Sequence, residues 1–69
     1  MTLKVGDILE LEWVQDDTIV VIRDRSGELL TSNYWFFDNI LDHDDDIVDK
    51  FEFNININTV YITIGYLKV

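Results

Sequence analysis

Apolar and polar residues alternate near the start of the chain, with Leu3, Val5, Leu9, Leu11 and Trp13 set against Lys4, Glu10 and Glu12. A period of two places one strand face on a core and lines the other with carboxylates, so a first strand is predicted over residues 7–14. Asp16 and Asp17 follow as a turn, because Asp bonds its own backbone and tolerates turn dihedrals. Thr18 to Arg23 is a β-branched run, apolar on both faces as a central strand requires. Asp24-Arg25-Ser26-Gly27-Glu28 reads as a hairpin loop in which Gly27 takes positive φ. A third strand then runs from Glu28 to about Asn33.

Tyr34 to Asp46 carries two signals. Phe36 with Ile40 and Phe37 with Leu41 have helical i, i+4 spacing, whereas Tyr34 to Phe37 also extends a strand. A short helical turn around residues 36–42 is expected. Beyond Ile47, Phe51, Phe53, Ile55 and Ile57 alternate with Lys50, Glu52, Asn54, Asn56 and Asn58; after Thr59 the parity switches to Val60, Ile62, Ile64 and Tyr66. One rigid strand with that switch would bury the wrong face, so a turn or bulge near Asn56 to Thr59 must separate two strands.

These elements predict an all-β domain, or a β-rich one with one short helix, as a small five-stranded antiparallel SH3-like barrel or curled sheet. The opening Lys4-Val5-Gly6-Asp7-Ile8-Leu9 resembles the lead-in of many SH3-like barrels. With no proline and three scattered glycines among 69 residues, nothing divides the chain, and residues 1–69 are expected to form one domain. A core this small supplies little stability, and the run Tyr34, Trp35, Phe36 and Phe37 must turn some rings outward if it is strand. A homodimer burying that run, or pairing a strand edge across a two-fold axis, is the expected remedy.

The composition narrows the chemistry. Fourteen acids against five bases give a net charge of −9, which argues against direct nucleic-acid or anionic-membrane binding. Without cysteine the chain can form no disulfide or thiolate metal site. The apolar runs, such as Ile19 to Ile22, fall far short of the roughly 20 residues of a membrane span. The first residues lack the basic-then-apolar design of a signal peptide, and the expected setting is the cytoplasm.

No enzymatic role and no cofactor are expected. His43, the single histidine, lies between Asp42 and Asp44 and reads as an exposed residue of an acidic loop; Ser26 and Ser32 sit in a turn and in or beside a strand. Asp42, Asp44 and Asp46 match the first three ligands of the calcium-loop pattern, but Ile47 stands where its glycine belongs and Phe53 where its bidentate Glu belongs. No specific metal site is expected.

Asp38, Asp42, Asp44, Asp45, Asp46 and Asp49 fall together with no Lys or Arg among them, and Glu10 and Glu12 add carboxylates on the predicted first strand. Alternate strand residues are separated by about 6.6–6.8 Å, so carboxylates at that spacing approximate a row of phosphates. In size, acidity, lack of cysteine and carboxylate clustering, the chain resembles the small acidic DNA-mimic proteins with which bacteriophages disable host DNA-binding proteins. That resemblance implies a basic DNA-binding protein as partner, with an HU-type nucleoid protein the leading target because such dimers clasp DNA with little base specificity. It also implies work in the cytoplasm of a host cell if the chain is phage-encoded. The alternative is an SH3-like interaction module or structural subunit whose anchors are Trp13, Tyr34, Trp35, Phe36 and Phe37.

Overall fold

The computed structural model describes residues 2–65. The elements run α1 (Val5–Leu9), β1 (Ile19–Arg23), β2 (Leu29–Tyr34), α2 (Asp38–Leu41), β3 (Val48–Asn54) and β4 (Thr59–Ile64). The four strands form one mixed sheet in the order β2-β1-β4-β3, with antiparallel hairpins on either side of a parallel β1–β4 pair. The chain is therefore β-rich. It departs from the expected five-stranded antiparallel barrel in three ways: the predicted first strand, residues 7–14, is the end of a helix followed by turns, the central pairing is parallel, and β2 and β3 are the sheet's edges.

The helix replaces the strand for a reason visible in its buried side chains. Val5, Ile8 and Leu9 are spaced i, i+3, i+4, which makes one helical stripe; the alternation across residues 3–13 skips Ile8 and includes Trp13, which is 54% exposed. The Lys4 N–H donates to Asp7 Oδ2 at 2.9 Å, satisfying a donor at the helix entrance with the side chain three residues on. The chain leaves α1 through successive tight turns, with Leu11 N–H donating to the Ile8 carbonyl and Val14 N–H to that of Leu11.

The expected central strand is present as β1. Val20 lies opposite Val60, and Ile22 opposite Ile62; all four are buried, and with Ile64 they form the sheet's inner face. Val5, Ile8 and Leu9 of α1 and Ile40 of α2 complete the core. Over β2, the Asn39 amide donates to Thr31 Oγ1 and accepts from the Asn33 amide, which ties α2 to that edge. Among the described residues no second layer covers the outer face, where Ile19, Val21, Arg23, Tyr61 and Thr63 are half-buried.

Both reversals follow the turn chemistry. Gly27 has φ +89°, and buried Asp24 accepts from the backbone N–H groups of Ser26 and Glu28. The parity switch resolves into a turn over residues 55–58 that ends at Asn58, with φ +48°, a conformation Asn tolerates better than most residues. Tyr66, expected on the apolar face of the last strand, lies outside the described residues.

Candidate functional site

Two backbone hydrogen bonds decide how the acidic residues are presented. Val5 N–H donates to the Asp46 carbonyl at 3.0 Å, and Gly6 N–H to that of Asp44 at 2.9 Å, so the start of α1 lies against the segment that follows α2. The approach is close: a Cβ on Gly6 would stand 2.6 Å from Asp44 Oδ1. The start of α1, which carries Asp7, is thereby brought against the segment that carries Asp44 and Asp46, while Asp38 lies on α2, Asp42 at its C-cap, and Glu10 and Glu12 on the turn after α1. Asp7, Glu10, Glu12, Asp38, Asp42, Asp44, Asp45 and Asp49 are all exposed.

Two expectations about these acids need correction. Glu10 is the C-cap of α1 and Glu12 lies in a turn, so the spacing of a strand-borne row of carboxylates is not realised there. Asp46 is half-buried, and its Oδ2 lies 2.6 Å from His43 Nδ1, which makes it a brace of the segment and leaves Asp42, Asp44 and Asp45 as its outward charges. His43, expected to be exposed, is half-buried by the same contact. Among the described residues no three His, Asp or Glu side chains converge as metal ligands would.

Apart from Lys4, which caps α1 beside Asp7, the cations lie elsewhere. No Lys or Arg occurs in residues 5–22 or 26–49, and these two stretches hold all the acids except Asp24 and Glu52. Arg23 and Lys50 both stand opposite Thr63 on the outer face of the sheet, away from the helices. Arg23 lies over the Tyr61 ring, 4.8 Å from its centroid. The molecule thus has an acidic helical side, with Lys4 at the α1 N-cap, and an outer sheet face that carries two of its five cations together with Glu52.

The aromatic run divides by burial. Tyr34 ends β2, and Phe36 and Phe37 occupy the turn into α2; all three are exposed, with the Phe36 and Phe37 centroids 5.1 Å apart. Trp35 packs partly against the core and donates its Nε1–H to Asp16 Oδ1 at 3.0 Å. A second aromatic surface was read only in part from the sequence, which offered Trp13 as an anchor but neither Phe53 nor Ile55 beside it. Trp13 and Phe53 lie 6.1 Å apart and, with Ile55 and Asn58, line an open cleft of about 530 Å³. Its signal lay in Asn54-Ile55-Asn56-Ile57-Asn58, since apolar residues inside a turn cannot also reach a core; Ile55 is 80% exposed.

The 13–18 loop joins the two aromatic surfaces. Asp16 holds Trp35, while buried Thr18 accepts the Gln15 N–H and donates to Asn58 Oδ1 at 2.8 Å. Both surfaces consequently sit at the end of the sheet where β1 and β4 begin and β2 and β3 finish. No helix among the described residues is long and apolar enough to cross a membrane. The chain matches no protein-family model, no curated protein sequence and no solved structure.

Proposed function

We propose that the protein is a DNA mimic that binds a basic DNA-binding protein through clustered carboxylates and blocks that protein's access to DNA. The observation that carries this reading is the local density of exposed charge: Asp7 on α1 and Asp38, Asp42, Asp44 and Asp45 on and after α2, with Glu10 and Glu12 on the turn that follows α1. Against these stands a single neighbouring base, Lys4, at the α1 N-cap, while Arg23 and Lys50 lie on the outer sheet face. Crowded like charge costs folding stability, and a small domain has little in reserve. Such a surface attracts a cationic groove over long range and displaces the counterions a duplex would displace. A basic dimer of the HU type, with little base specificity, is the target such a surface suits best.

The test is retention of proteins from a bacterial lysate on the immobilised protein, with elution by salt steps and by excess duplex DNA. A basic DNA-binding protein should be retained at low salt and released by either treatment. For roughly six phosphate-like contacts, affinity should fall on the order of 10³-fold between about 50 and 200 mM salt. Replacing Asp42, Asp44 and Asp45 together by Asn should leave the fold intact, because all three are exposed, and abolish retention. A retained partner indifferent to salt, to DNA and to this triple variant would refute the proposal. It would favour the second reading, an interaction module anchored by the exposed rings of Tyr34, Phe36 and Phe37.

A further inference from the structure

The sheet has two edges that differ in chemistry. β3 is met at its start by the N-terminal segment, where Val48 N–H donates to the Leu3 carbonyl and Lys4 bridges Ile47, and no strand among the described residues pairs with that edge from Lys50 onward. β2 carries no charged residue, whereas β3 reads Val48-Asp49-Lys50-Phe51-Glu52-Phe53-Asn54. Lys50 and Glu52 are exposed on the outer face, since they stand opposite Thr63 and Tyr61; Phe51, opposite Ile62, lies on the inner face and is 39% exposed. Among the described residues neither Lys50 nor Glu52 has an ionic partner within 4 Å.

We propose that β3 pairs antiparallel with β3 of a second copy about a two-fold axis through Phe51, joining two sheets into one of eight strands. Such an axis, perpendicular to the sheet, keeps each face on its own side, so residues of like parity must stand opposite one another. Centred on Phe51, the register sets Lys50 opposite Glu52 of the second copy, and Glu52 opposite its Lys50. Directly opposed Cβ atoms lie about 4.5–5.5 Å apart, within reach of an ion pair. Both charges, unpartnered in one copy, are matched in two. The flanking registers lose this: a shift of two residues sets Lys50 against Lys50 in one direction and Glu52 against Glu52 in the other. Phe51 meets its own counterpart on the inner face, covering apolar surface that one copy leaves open. The bulge between Val48 and Lys50, and the Leu3 carbonyl that already accepts the Val48 N–H, confine the ladder to residues around Phe51, which makes the pairing short and the dimer concentration-dependent.

The test is sedimentation equilibrium of the full chain from micromolar to millimolar concentration. The mass should rise from 8.2 kDa toward twice that value. Lys50→Glu and Glu52→Lys should each hold the chain at monomer mass, because each sets like charges against one another at both symmetry-related positions. The double reversal restores complementarity and should restore the dimer, with far-UV circular dichroism establishing that each variant is folded. Independently, Phe51→Cys should cross-link two copies under mild oxidation faster than Lys50→Cys does, in a chain that has no other cysteine. A wild-type chain that stays monomeric at millimolar concentration would overturn the proposal and leave the charges as guards of an edge. So would single reversals that still dimerise, a folded double reversal that does not, or equal cross-linking at positions 50 and 51.

Discussion

Alanine at Ile62 should cost this protein most of its stability, and alanine at Ile55 almost none. Both are isoleucines at apolar positions of an alternating pattern, so only the turn between β3 and β4 distinguishes them. Ile62 is fully buried between Ile22 of β1 and Phe51 of β3; Ile55 is 80% exposed. Truncation at Ile62 removes three buried carbons, roughly 2.4 kcal/mol at about 0.8 kcal/mol each. The cavity left behind raises the cost into a range of about 2–5 kcal/mol. A core of this size supplies about 3–5 kcal/mol in total, so the variant should be largely unfolded or close to it. Urea titration followed by circular dichroism reads the difference directly. With a slope of about 1 kcal/mol per molar, the Ile62→Ala midpoint should fall by roughly 2 M or more. Ile55→Ala should stay within about 0.5 kcal/mol of wild type. Comparable losses at both positions, or a loss below about 1 kcal/mol at Ile62, would show that β3 and β4 do not pair in this register.

Three further substitutions probe the connections. Gly27→Ala places a side chain at φ +89° with open space around it, so the cost is conformational, about 1–2 kcal/mol, and should lower the melting temperature by several degrees; an unchanged temperature would contradict the turn. Thr18→Val keeps the shape of a buried side chain but strands the Gln15 N–H and Asn58 Oδ1, at about 1–3 kcal/mol by denaturant titration, whereas Thr18→Ser should recover most of that loss. Asp24→Ala removes the acceptor for two loop N–H groups and should cost a similar amount, about 1–3 kcal/mol, with faster amide exchange at Ser26 and Glu28 as its local signature.

Much of the candidate site was legible because acidity is local in the chain. The run from Asp38 to Asp49 is a carboxylate cluster in any conformation, and Tyr34 to Phe37 was expected to turn rings outward. The mode of presentation was not legible. Glu10 and Glu12 read as the solvent side of a strand because Leu9, Leu11 and Trp13 alternate with them, yet the competing stripe Val5, Ile8 and Leu9 is the one that reaches the core. Five residues are too few for periodicity alone to separate helix from strand; the Lys4–Asp7 bond and the burial of Val5, Ile8 and Leu9 in the core decide it. Asp46 likewise looked equivalent to its neighbours until His43 was placed against it.

Local chemistry by itself determined the reversals and most of the strands: Gly27 and Asp24 close one hairpin, the parity switch before Val60 demands another, and the β-branched run after Thr18 makes a central strand. Each is a constraint among residues close in sequence, and such constraints survive without knowledge of the fold. Tertiary structure decided what lies beside what. The parallel pairing of β1 with β4 joins residues about forty positions apart, as does the Thr18–Asn58 bond, and Gly6 meets Asp44 across a similar span. No pattern of neighbours encodes those contacts, because they arise only when two hairpins and two short helices share one core. The same packing places Arg23 and Lys50, with Glu52, on the outer face of the sheet, while Asp7, Asp38 and Asp42 go with the two helices.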